Sequence, residues 1–160
     1  MIFCKKSYLL IIIYFCLQAC AAQKEHPETF RDRLVLLDKK IAQDPQNASL
    51  YLQRAYALDS AQNYLKALTD VNETLKLNNK NVNAYYLRGL LKIKLDDASG
   101  AINDFNKIIL LDPKNANAYY QRALIRLQVK DKSGACMELK KALEYKHPKA
   151  QEMIEKNCTK

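Results

Sequence analysis

Residues 82–115 read VNAYYLRGLLKIKLDDASGAINDFNKIILLDPKN, and their pattern recurs in register on both sides. Residues 48–81 and 116–149 are the neighbouring copies, each 34 residues long like the first. Self-similarity at a fixed period of this length marks a stacked array, in which one two-helix unit cannot bury its apolar face alone and its neighbours complete the burial. An all-α fold of three helix hairpins follows.

The copies agree at particular places. The eighth is always small, as Ala55, Gly89 and Ala123, and so is the twentieth, as Ala67, Ala101 and Ala135. Small residues at facing places let antiparallel helices approach closely, while bulky ones fill the gaps between ridges. Val71, Phe105 and Leu139 at the twenty-fourth place are such fillers, and Tyr51, Tyr85 and Tyr119 at the fourth join the core. In the middle copy Leu111 and Asp112 are followed by Pro113, which stops the second helix and starts a turn. Together these places resemble the tetratricopeptide repeat, over residues 48–149. The eleventh place departs from the family pattern, holding Leu58, Lys92 or Arg126 where an aromatic is usual, and the proline of the thirty-second place survives only as Pro113. The resemblance implies a right-handed helical solenoid.

Both ends of the array read as caps. In residues 28–47, Phe30, Leu34, Leu37 and Ile41 recur at helical spacing, and Asp44-Pro45-Gln46-Asn47 echoes Asp112-Pro113-Lys114-Asn115 two periods later. This N-terminal helix stands where the second helix of an earlier repeat would be. Arg33 occupies its small-residue place because no first helix precedes it and needs room. Residues 150–160 form a C-terminal capping helix, with Ala150, Met153 and Ile154 to cover the last hairpin. Within the repeats, Arg54, Arg88 and Arg122 at the seventh place face Asp70, Asp104 and Glu138 at the twenty-third. An acid accompanies every arginine, so these read as internal struts rather than an anion site.

The N-terminal stretch reads as an export signal. Lys5 and Lys6 precede an apolar run over residues 8–17, too short for a transmembrane helix, which needs about 20 apolar residues. Leu17-Gln18-Ala19-Cys20 resembles the lipobox of bacterial lipoproteins, which implies that residues 1–19 are removed and Cys20 is lipidated. The alternative is ordinary cleavage at the small-x-small site Ala19-Cys20-Ala21. Residues 20–27 are then a short tether. Loss of Lys5 and Lys6 leaves 24 basic against 17 acidic residues, a charge of +7 that scattered surface lysines account for, with polyanion binding as the alternative. The expected location is the periplasmic face of the outer membrane, with a soluble periplasmic or secreted protein as the alternative. Of five cysteines, Cys4 and Cys16 leave with the signal and Cys20 is assigned to lipid. Cys136 near the start of one helix and Cys158 at the end of the antiparallel capping helix are expected to form a disulfide, the alternative being two unrelated thiols.

No catalytic or metal-binding pattern is legible: the two histidines, His26 and His147, stand apart from the cysteines and acids, and Asp96 and Asp97 lie at a turn where helix capping accounts for them. A non-enzymatic protein without cofactor or metal is expected. The family resemblance implies a concave groove lined by the first helices. Transferred place by place, its lining is Ser49, Leu52, Gln53, Tyr56, Asp59 and Ser60, then Asn83, Tyr86, Leu87, Leu90, Ile93 and Lys94, then Asn117, Tyr120, Gln121, Leu124, Leu127 and Gln128. Amides of this kind can hold an extended peptide backbone, and tyrosines supply contact area. The basic residues with which some members clamp a peptide carboxylate are missing, since Leu52, Tyr56, Leu87, Asn117 and Gln121 stand in their places. The expected partner is another envelope protein, with the membrane engaged through Cys20 and no role for nucleic acid. A spacer that binds nothing in its groove is the bland alternative.

Overall fold

The structure, a computed structural model, describes residues 29–158; Cys20 and the stretches expected to be an export signal and a tether lie outside them. All regular structure among the described residues is helical: α1 (Phe30–Gln43), α2 (Ala48–Ser60), α3 (Tyr64–Leu77), α4 (Val82–Lys94), α5 (Ala98–Leu111), α6 (Ala116–Gln128), α7 (Lys132–Glu144) and α8 (Ala150–Cys158). Two compact units divide between Leu36 and Leu37, so α1 contributes to both. In the first, Thr29 and Asp32 start α1 by reciprocal bonds: Asp32 N–H donates to Thr29 Oγ1 and Thr29 N–H donates to the Asp32 carboxylate. The second holds the three hairpins α2/α3, α4/α5 and α6/α7, with α8 packed on α7.

Each helix starts and stops for a local reason. Asn47, Asn81 and Asn115 cap α2, α4 and α6, their side-chain oxygens accepting from Ser49, Ala84 and Ala118 N–H. Asp97 and Asp131 cap α5 and α7 by accepting from Gly100 and Gly134 N–H. Asp96 does not share that capping role. It sits in the left-handed region at φ 60°, as Gln62 does at 59° and Lys130 at 63° in the same place of the other repeats. The next N–H in each case, from Asn63, Asp97 and Asp131, reaches back to the carbonyl of Leu58, Lys92 and Arg126. This closes the first helix and reverses the chain within three residues.

The hairpins close on their small residues. Ala55, Ala67, Ala101, Ala123 and Ala135 are fully buried, and Val71, Phe105 and Leu139 fill the space they leave. The filler sets the size of its neighbour. A Cβ added to Gly89 would lie 2.8 Å from Phe105 Cζ, so the bulkiest filler faces the only glycine at that place, while Val71 and Leu139 face alanines.

The seventh-place arginines do more than the spacing implied. Arg88 Nη2 donates to Asp104 Oδ1 at 2.6 Å, and Arg54 makes the same bond to Asp70 at 2.6 Å. Arg122 pairs with Glu138. The remaining Nη1 of each turns to the preceding repeat, donating to Asp38 at 2.7 Å, Asn72 at 3.0 Å and Asn106 at 2.6 Å. Hydrogen bonds donated to Asp70 hold the Arg54 guanidinium charged even more firmly than usual, against desolvation, with Asp38 adding to the effect. Under the three guanidinium groups lie Tyr51, Tyr85 and Tyr119, at 5.8, 5.4 and 5.5 Å from the ring centres. The tyrosine hydroxyls in turn donate to Pro45, Asn79 and Pro113 carbonyls across the preceding turn. One arginine therefore fastens its own hairpin, the one before it and the turn between.

At the far end Cys136 and Cys158 are joined, with Cα atoms 5.7 Å apart, as the antiparallel course of α7 and α8 led us to expect. Closing this segment stabilises the fold by about 3 kcal/mol in the chain-entropy view. That matters for α8, whose apolar contribution is chiefly Ala150, Met153 and Ile154.

Arg88→Ala is expected to destabilise the protein by about 2 kcal/mol, because Asp104 is 2 % exposed and would retain only Lys92 as a cationic partner. Combining it with Asp104→Ala should cost less than the sum of the two single losses in denaturant titrations; additive losses would show that the two do not interact.

Candidate functional site

The face presented by α2, α4 and α6 is continuous from helix to helix. Lys94 Nζ of α4 reaches Asp59 Oδ1 of α2 at 2.5 Å, over the Tyr64 ring at 4.9 Å. Gln121 Nε2 of α6 donates to the Tyr86 hydroxyl of α4 at 3.1 Å. These bridges tie one first helix to the next and were not anticipated from the sequence.

On this face Gln53, Tyr56, Asn83 and Asn117 are exposed, Tyr56 at 43 %. Tyr86, Leu90, Gln121 and Leu124 are half-buried, the Tyr86 ring meeting Phe105 edge-on at 5.9 Å. Helical spacing sets Asn83, Tyr86 and Leu90 in one stripe of α4. Partial burial and the proximity of Tyr86 raise the Tyr56 hydroxyl above the ordinary tyrosine range, so the Tyr56 phenol is a neutral donor at physiological pH.

Two residues expected in the lining do not belong to an open surface. Leu87 is 1 % exposed and sits in the core. It stands at the sixth place, where the flanking copies have Gln53 and Gln121, and that break from polar to apolar is the signal that separates it from them. Tyr120 is 9 % exposed, because the chain entering α8 brings His147 onto its ring, with centres 3.9 Å apart and planes 16° from parallel. Tyr120 and Ala150 share the terminal core cluster, with Leu124, Met153 and Ile154 packed at its edge. The open part of the face therefore runs over α2, α4 and the start of α6.

His147 also accepts at Nδ1 from Lys149 N–H at 3.3 Å, next to the first turn of α8. Burial, with a smaller contribution from Lys149, lowers its pKa below the ordinary 6.5. No group of three or more His, Cys, Asp or Glu side chains among the described residues could hold a metal ion. No helix among them is long and apolar enough to cross a membrane.

The hairpins and their common face define a tandem array of two-helix repeats. Residues 82–115 match the family model described as tetratricopeptide repeat. Over 73 residues the chain is 38 % identical to mouse tetratricopeptide repeat protein 28, a match covering 46 % of this chain and 3 % of that much longer one. Among solved structures, MamA superposes with a TM-score of 0.69 at 21 % identity, covering 73 % of this chain and 68 % of that one. The first tetratricopeptide domain of Spaghetti (RPAP3), bound to an HSP90 peptide, superposes with a TM-score of 0.66 at 18 % identity, covering 72 % and 93 %. The middle hairpin is thus similar to the tetratricopeptide repeat, and the helical-hairpin fold around it is shared with these solved structures.

A histidine whose folded pKa is lowered favours the neutral form, so its contribution to stability is full above the unfolded value and is lost as pH falls through 6.5 and below. The melting temperature should accordingly drop on acidification through this window, and His147→Gln should flatten that part of the profile. An unchanged profile in the variant would assign the acid sensitivity elsewhere.

Proposed function

We propose that this protein is a non-enzymatic docking module, held by a lipid on Cys20 in the envelope of a Gram-negative bacterium, that binds a segment of another envelope protein on its first-helix face. The observation that carries the docking reading is the set of side chains the fold leaves over. Gln53, Tyr56, Asn83 and Asn117 are exposed on adjacent repeats, and the fold does not rely on them for its core. Large tyrosines and amides concentrated on one face are what a recognition surface needs. A neighbour of the same fold holds a peptide, which supports the reading at the level of architecture. The anchoring part rests on the sequence Leu17-Gln18-Ala19-Cys20 and the charged, then apolar, stretch before it.

Site-specific photocrosslinking in cells tests the docking reading. A crosslinker at Tyr56 or Asn83 should capture a discrete protein, one at Lys140 on the opposite helix layer should not, and Asn83→Ala with Asn117→Ala should weaken capture without lowering the melting temperature. Equal capture from both layers would reject a specific face. For the anchor, Cys20→Ser should move the protein from the membrane fraction to the soluble periplasm while leaving it folded; unchanged fractionation, with Cys20 retained but unmodified, would sink the lipoprotein reading.

A further inference from the structure

The first helices have no uncommitted charge. The charged side chains of α2, α4 and α6 are Arg54, Asp59, Arg88, Lys92, Lys94, Arg122 and Arg126. Each is ion-paired inside the protein: the seventh-place arginines as described, Asp59 with Lys94, Lys92 with Asp104, and Arg126 with Asp131. Exposed lysines such as Lys66, Lys76, Lys132 and Lys140 lie on the second helices instead. A chain of net charge +9 thus offers a recognition face that is electrically quiet.

That neutrality selects the occupant. A charged side chain laid over Tyr56, Tyr86 and Leu90 would lose hydration and meet no counter-charge, because the cations within reach are already held by acids. Gln53, Asn83 and Asn117 offer amide donors and acceptors, which serve peptide groups not already bonded to one another. A helix has satisfied its own backbone internally, whereas an extended strand has not. Tyr86 and Leu90 share a helical stripe with Asn83, and Tyr56 lies near Tyr86, so their apolar parts can cover one aliphatic or aromatic side chain.

Resting on the docking reading above, we propose that the partner segment is an uncharged, extended peptide whose backbone is held by Gln53, Asn83 and Asn117 and which seats an aliphatic or aromatic side chain against Tyr56, Tyr86 and Leu90. The burial of Tyr120 beneath His147 ends the usable face on α6, so the segment spans the first two repeats and the start of the third.

The test uses the full chain and an array of short synthetic peptides of neutral, acidic and basic composition, each composition with and without aliphatic or aromatic residues. Neutral peptides carrying such a residue should be retained, with binding that changes little between low and high salt, since no ion pair is formed to be screened. Tyr86→Ala should weaken retention about tenfold or more. Because Tyr86 touches Phe105 and its loss could disturb folding, exposed Tyr56 supplies the second variant: Tyr56→Lys should shift retention from neutral towards acidic peptides. Selection of acidic or basic peptides by the unaltered protein, fading with salt, would overturn the proposal while leaving docking intact. So would retention unmoved by either variant, or a dimer in sedimentation that Tyr56→Lys dissociates, which would make a second copy the occupant. Failure to retain peptides of every composition would overturn the docking reading as well.

Discussion

The close approach of the two helices in each hairpin is the constraint on which the remaining geometry depends. It requires two small residues per repeat, and it makes the filler beside them a matter of volume, as the Gly89 and Phe105 pairing shows. A methyl group at Gly89 would have to displace a ring that is itself fully buried, in a core packed as densely as an organic crystal. With the helices at this distance, Arg54 and Arg88 each meet the carboxylate of the facing helix side-on through Nε and Nη2, and Nη1 is left pointing at the previous repeat. The front face follows as a remainder: what the first helices do not spend on closure or clamping stands open on α2 and α4.

Much of this architecture is legible as repetition. Small, bulky and charged places recur at fixed offsets, and each offset translates into a contact because a straight hairpin keeps register over its whole length. The Arg88 and Asp104 pairing and the Cys136 and Cys158 bond were foreseeable from topology alone. The features that were not foreseeable depend on angles between units. Asn72 and Asn106 as arginine partners need the offset between consecutive hairpins, and the bridge from Lys94 to Asp59 needs the spacing of first helices. Tyr120 looked like its equivalent Tyr86 because their places are identical, and what distinguishes them is His147, which holds the thirty-second place of the last copy where the middle copy has Pro113 and is laid on the Tyr120 ring by the path of the chain into α8. The left-handed turn residues were hidden for a chemical reason: glutamine, aspartate and lysine stand where glycine would have announced the conformation.

Keeping charge off the front face has a bearing on specificity. In a strongly basic protein, any free lysine there would attract anionic partners without regard to shape, and long-range attraction would dominate encounter. Committing every charged group of the first helices to an internal ion pair removes that competition. On the proposed docking reading, recognition rests on contact and hydrogen-bond geometry, which discriminate at short range, while exposed lysines stand on the second helices.

The arginine clamp also has a direction. Each guanidinium reaches toward the N-terminal neighbour, Arg54 to Asp38, Arg88 to Asn72 and Arg122 to Asn106, all of them residues that emerge earlier when a chain is made or exported N-terminus first. An emerging chain can therefore complete every clamp as its arginine and second helix appear, without waiting for a repeat still to come. Domains are synthesised from the N-terminus, and elements exposed meanwhile are the ones prone to misassociate. An array fastened backwards leaves only its newest hairpin unsecured at any moment, and the acceptors awaiting the next arginine, Asn72 and Asn106, are exposed amides that water satisfies in the interval.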